Sequence, residues 1–175
     1  MNDPFFTLSD DNELTIHTSG TSSPDDFDFL QGNWTVRNRK LKSRLSGCQE
    51  WLSFDAEQKM LKVLGGKGNI DFMSTNLDGL YYEGMTLRLF NPITRLWSIY
   101  WADNQHVTLE KPVYGSFEGP IGRFFCKDVF QGKEVLVRFN WDASDLERPI
   151  WSQAFSDDGG MSWEWNWYMH FEKVS

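Results

Sequence analysis

The run Trp163-Glu164-Trp165-Asn166-Trp167-Tyr168-Met169-His170-Phe171-Glu172 decides the fold class. Its apolar residues fall on every second position, the repeat of an extended strand with one face buried and one face wet; a helix would bring them round every three to four residues. The same period of two recurs upstream. Val135, Val137, Phe139 and Trp141 alternate with Glu134, Leu136, Arg138, Asn140 and Asp142. Trp97, Ile99 and Trp101 alternate with Ser98, Tyr100 and Ala102, and Met85, Leu87 and Leu89 alternate with Thr86, Arg88 and Phe90. Turn residues separate the runs: Gly65-Gly66-Lys67-Gly68-Asn69, Asn91-Pro92 and Asp157-Asp158-Gly159-Gly160. Short strands at spacings of about 8–12 residues with hardly any helical signal predict an all-β domain of about ten strands, a closed barrel or a sandwich. No repeat of about 40 residues is visible, which argues against a propeller.

The chain has 175 residues, enough for one well-buried domain without a disulfide or metal staple. Aromatic residues make up 16% of it, which argues against disorder. The net charge of -8 is uneven: residues 1–28 hold seven acids and no Lys or Arg, which leaves the remainder nearly neutral. An acidic protein gains nothing from counterion release, so neither nucleic acid nor an anionic membrane is an expected partner. No apolar run is long enough for a membrane-spanning helix. Two cysteines, Cys48 and Cys126, and the absence of a leader-like opening predict reduced thiols and a cytoplasmic location.

Residues 1–24 are expected to form an acidic, flexible tail, with Phe5, Phe6, Leu8, Leu14 and Ile16 leaving a docked strand as the alternative, and residues 25–175 the barrel domain. Asp25 and Asp26, then Phe27, Phe29 and Leu30, then Gly32, have the order of a short helix that closes one end of the barrel.

Gly32-x-Trp34 after that turn resembles the Gly-x-Trp signature of lipocalins, in which Gly allows a sharp entry to the first strand and Trp plugs one end of the barrel. Ser156-Asp157-Asp158-Gly159-Gly160-Met161-Ser162-Trp163 resembles the Asp-box hairpin of sialidases; one copy reads as a structural turn. The string Asp26-Phe27-Asp28-Phe29-Leu30-Gln31-Gly32-Asn33-Trp34 resembles the opening of a bacterial family of calycin-like proteins of unknown function. Gly47-Cys48-Gln49-Glu50-Trp51, Leu64-Gly65-Gly66-Lys67-Gly68-Asn69, Trp97-Ser98-Ile99-Tyr100-Trp101-Ala102-Asp103 and Phe155 to Trp163 follow in the family's order. Lys173 stands where such proteins tend to carry Arg. The resemblance implies a single antiparallel calycin or lipocalin-like barrel; it implies no activity, cofactor or catalytic residue.

If each strand's apolar face points inward, Trp101, Trp141, Trp151 and Trp167 line the interior. The polar residues sharing inward faces are then Asn38, Glu50 and Gln153, with Asp103 at the rim beyond Trp101. Buried polar groups need partners, so these either bind one another or face a ligand. The expected ligand-binding set is therefore Asn38, Glu50, Trp101, Asp103, Trp141, Gln153 and Trp167, around a small apolar or aromatic molecule. The alternative is a filled core with satisfied polar groups or bound water. A buried Glu50 would suit general acid–base work, which keeps a cofactor-free isomerase, cyclase or hydrolase open; Trp51 facing inward would remove it. A third possibility is an interaction module with a filled barrel.

Arg37, Arg39, Lys40, Lys42 and Arg44 form a basic stripe on both faces of the first barrel strand, read as a solvated face; capture of an anionic ligand near the barrel mouth is the alternative. His17, His106 and His170 share no metal-ligand spacing, and alternation turns His170 away from the Trp face, where a haem ligand would have to point. No phosphate loop or nucleophile elbow is present. No cofactor is expected, and the oligomeric state is open.

Overall fold

The computed structural model describes residues 4–174. Twelve strands make up almost all regular structure: β1 (Phe6–Leu8), β2 (Leu14–Ile16), β3 (Gly32–Leu41), β4 (Trp51–Val63), β5 (Gly68–Leu77), β6 (Leu80–Asn91), β7 (Leu96–Asp103), β8 (Val113–Glu118), β9 (Ile121–Phe130), β10 (Lys133–Asp142), β11 (Ile150–Ser156) and β12 (Glu164–Lys173). Strands β3 to β12 form one closed antiparallel barrel, each pairing with its sequence neighbour, and β12 returns to β3 with Trp167 opposite Lys40 and Lys173 opposite Trp34. Closure leaves no long unpaired edge.

The expected short helix is a single 3-10 turn, Asp28–Leu30. Three residues fix only one turn, yet the aromatic cargo suffices to close the barrel floor. Phe27, 1% exposed, meets Trp97, Phe117 and Trp141 edge-on with ring centres 4.9, 5.0 and 6.0 Å away. Trp34 Nε1 donates to Leu30 O at 2.7 Å, and Trp97 Nε1 to Asp26 Oδ2 at 3.1 Å, so the indoles of β3 and β7 hold the turn in place. Lys173 places Nζ 5.5 Å from the centre of the Trp34 ring, so a lysine supplies a cation over the indole at that position.

Residues 6–16, expected within a flexible tail, form the β1–β2 hairpin on the outside of the barrel. Phe5 and Phe6 are each 6% exposed and cluster with Phe125 and Leu136, which point outward from β9 and β10. The Phe6 ring lies 4.8 Å from that of Phe125 and 6.3 Å, edge-on, from Trp163.

That contact corrects the simplest alternation in β12. A bulge between Gln153 and Ala154 pairs Gln153 with Trp167 but Ala154 with Trp165, so the register slips by one residue. Trp167, Met169 and Phe171 belong to the barrel core, while Trp163 serves the outer cluster under the hairpin. The Ser156–Ser162 hairpin is closed locally: Asp158 accepts from the Ser162 amide at 2.9 Å, the Ser162 hydroxyl at 2.6 Å and the Ser156 hydroxyl at 2.8 Å.

Candidate functional site

Above the aromatic floor the barrel holds a cavity of about 250 Å³. Its two sides differ in chemistry. Strands β10 to β12 contribute Phe139, Trp141, Trp151 and Trp167, with the Trp151 ring 4.9 Å from Phe139 and edge-on to Trp167 at 5.5 Å. Across the ring of ten, strands β4 to β6 contribute Gln58, Thr86 and Arg88, which are 5%, 8% and 3% exposed. One wall is aromatic and the other polar.

The polar wall is incompletely satisfied within the protein. Arg88 Nη1 donates to Asp71 Oδ2 at 2.5 Å and to Asn69 Oδ1 at 3.0 Å, both on β5. Its guanidinium lies 4.9 Å from the Phe27 ring and 5.7 Å from Trp141, which ties the polar wall to the floor. Arg88 Nε and Asp71 Oδ1 are buried without a partner.

Of the expected site residues, Trp101, Asp103, Trp141, Gln153 and Trp167 line this cavity, as does Trp151. Gln153 Nε2 donates to Asn166 Oδ1 at 2.8 Å and so turns one end of its amide away from the lumen. Asn38 is fully buried but acts one step behind the wall: its Oδ1 accepts from Trp167 Nε1 at 3.0 Å, and its Nδ2 donates to Val36 O at 3.2 Å. It fixes the Trp167 indole and does not itself line the cavity.

Glu50 is a correction. It precedes β4, its side chain is 74% exposed, and it pairs with Lys42 Nζ at 2.8 Å outside the lumen. That cation holds its carboxyl below the usual range, opposite to the rise expected of a buried acid. The physical reason is an overhang. β4 pairs with β3 from Trp51 onward but meets β5 only from Glu57, so at its start an inward-pointing side chain meets solvent; Leu52 there is 42% exposed.

The open end carries the charge. Asp103 accepts from the amides of Gln105 (2.9 Å) and His106 (2.7 Å), from the Tyr82 hydroxyl (3.1 Å) and from Trp101 Nε1 (3.4 Å). Burial works against its ionisation, but these donors outweigh it and hold the carboxyl below its ordinary range. Trp101 fits there because residue 84 is glycine: a Cβ at Gly84 would stand 2.1 Å from the indole. Lys40 projects inward with Nζ 4.2 Å from the centre of the Trp167 ring. Burial, then the nearby Arg44 cation, lower its pKa to about 8 against the opposing pull of Asp103 and Glu110. Arg44 reaches over Phe155 at 5.2 Å and also lines the cavity.

Gln58, Thr86 and Arg88 were not among the expected ligand residues, and Lys40 and Arg44, read as part of a solvated basic stripe with anion capture at the mouth as the alternative, line the cavity. A signal for Lys40 exists, since it shares parity with Trp34, Val36 and Asn38. Arg88 carries none: in its run the apolar set Met85, Leu87 and Leu89, expected to point inward, faces outward, and the inward set is Thr86, Arg88 and Phe90. His170 is exposed and faces away from the lumen, as alternation requires. Among the described residues no group of three or more His, Cys, Asp or Glu is arranged to hold a metal ion, and no helix is long and apolar enough to cross a membrane. No protein-family model matches the chain, and no curated protein is similar enough to match it.

Proposed function

We propose that this protein binds a small aromatic molecule inside its barrel, as a lipocalin-like binder of the calycin type. The observation that carries this reading is the two-sided cavity: Phe139, Trp141, Trp151 and Trp167 face buried polar groups that the protein leaves partly unpaired. A core that merely fills space has no use for Gln58, Thr86 and Arg88, because each buried polar group lacking a partner costs about 1–3 kcal/mol. A ligand with an apolar face and a few acceptors or donors repairs that deficit. Size narrows the class. Ligand pockets commonly run to about 300–1,000 Å³, and an engineered apolar cavity of about 150 Å³ takes up benzene. A cavity of about 250 Å³ suits one or two fused rings and excludes a long acyl chain.

The acid–base alternative has lost the carboxylate on which it rested, since Glu50 stands in solvent. Both cysteines are unpaired, which supports a reducing, intracellular setting. The test is saturable 1:1 quenching of tryptophan fluorescence by 2-naphthol. Ile99→Trp, which adds bulk to the lumen, should abolish quenching while the circular dichroism stays that of a β-barrel. Quenching that is linear in concentration, or unchanged in the filled variant, would refute binding within the barrel.

A further inference from the structure

We infer that the molecule held in the cavity is an aromatic acid, a one- or two-ring compound whose anionic group sits at the barrel mouth between Lys40 and Arg44 while its ring lies against the β10–β12 wall. This deepens the proposed function and rests on it. The inference comes from an audit of the charges lining the cavity. Arg88 is already opposed by Asp71, at 2.5 Å, deep in the polar wall. Asp103 is saturated by two backbone amides, a hydroxyl and an indole N–H, with the His106 ring 3.3 Å away. What remains is Lys40, Arg44 and Lys111 against the carboxylates of Asp103 and Glu110, with Glu164 also acting on Arg44. Lys40 and Arg44 have aromatic rings beneath them and no carboxylate within ion-pair distance. The chain as a whole is acidic, yet among the residues lining the cavity cations outnumber carboxylates by three to two once Arg88 is set against Asp71.

Holding two cations side by side against apolar rings is unfavourable, and both carry the mark of it. Burial is the largest influence lowering the pKa of each, and the Lys40 value is about 8. An incoming anion removes this penalty and gains charge-assisted hydrogen bonds from two donors. The Trp167 indole below Lys40 is locked by Asn38, so a ring inserted beside it enters a preformed slot. Glu110 stands on the rim, where burial and then the charges of Asp103 and Asp128 raise its carboxyl pKa.

Three probes of one shape decide the matter: 2-naphthoate, 2-naphthamide and 2-naphthylmethylammonium, titrated calorimetrically at pH 7. Naphthoate should bind about tenfold or more tightly than the amide, about 1.4 kcal/mol, because only the acid makes charge-assisted hydrogen bonds to both cations. That ratio should collapse towards one in Lys40→Met/Arg44→Met and persist in Lys59→Met on the outer face. In the unaltered protein it should shrink as pH rises through about 8, when Lys40, facing Arg44, Asp103 and Glu110, gives up its proton. An amide that binds as well as the acid overturns the acid site and leaves the cavity reading standing. Preference for the ammonium, or a ratio that survives the double substitution, overturns it likewise. Failure of all three probes to bind overturns both readings together.

Discussion

Arg88 and Asp71 form an ion pair whose side chains are 4% and 1% exposed, and replacing Arg88 by Met should be among the most damaging single changes in the barrel. The side chain of Asp71 accepts from Arg88 Nη1 and has its second oxygen, Oδ1, unpartnered. Truncating the arginine therefore strands a carboxylate in the protein interior, for which the expected cost is about 3–5 kcal/mol. The guanidinium also covers the Phe27 and Trp141 rings, contacts that a methionine only partly restores. Asp71→Leu leaves the arginine one bond, to Asn69, and should cost about the same. The double variant Arg88→Met/Asp71→Leu should recover most of either loss, because an apolar pair strands no charge. Urea unfolding followed by tryptophan fluorescence measures all three, with the slope m held constant as a check that the unfolded state is the same. A double-mutant coupling below about 1 kcal/mol would refute the reasoning, since it would mean that water or another group satisfies each charge once its partner is gone.

Other consequences are as direct. Lys40 has a native pKa below its unfolded value, so the native state gives up its proton first; stability should rise between about pH 8 and pH 10.5, and Lys40→Met should stabilise the protein below pH 8 with a benefit that fades above it, as parallel denaturant titrations would record. Asp158, held at about 2 by the Ser162 hydroxyl and amide and the Ser156 hydroxyl, works in the opposite sense: its contribution should be complete above about pH 4 and disappear as pH falls through 2, so Asp158→Ala should lower the melting temperature at pH 7 and leave it unchanged below pH 2. Gly84→Ala puts a methyl group where the Trp101 indole lies and should alter near-ultraviolet circular dichroism and probe affinity more than it alters the fold; unchanged affinity would remove Trp101 from the site. Phe6→Ala should cost about 3 kcal/mol of hairpin docking and raise amide exchange along Phe125 and Leu136, with little effect on cavity binding.

The architecture was legible because alternation is set by the pleat itself, and ten strands in simple succession need no long-range pairing to be guessed beyond the closure of β12 on β3. What alternation does not carry is absolute facing. In β6 alternation assigns the apolar Met85, Leu87 and Leu89 to the lumen, yet these are the outward, half-buried set and Thr86, Arg88 and Phe90 face inward. In β11–β12 the bulge at Gln153/Ala154 moves Trp163 to the hairpin cluster, although periodicity groups it with Trp167. Glu50 has the parity of an inward residue, but parity has consequences only where a neighbouring strand encloses the lumen, and β5 does not reach that far. The aromatic wall was thus predictable from sequence, whereas the polar wall required the pairing of β5 with β6.

The placement of aromatic residues explains how the barrel tolerates an interior with unpaired polar groups. Phe27, Trp97, Phe117, Phe124 and Trp141 interlock at the floor, and Phe6, Phe125 and Trp163 form a second cluster outside the wall. Aromatic pairs of this kind contribute about 0.5–1.5 kcal/mol each beyond the area they bury. Stability is thereby concentrated at the closed end and on the outer face of the wall. The mouth can then carry Lys40 and Arg44 without close counter-ions, because it does not have to hold the floor of the barrel closed. Substitutions at the floor should accordingly change unfolding free energy, and substitutions at Lys40, Arg44 and Gln58 should change affinity. A floor variant such as Phe27→Ala that lost ligand binding without losing stability would contradict this separation.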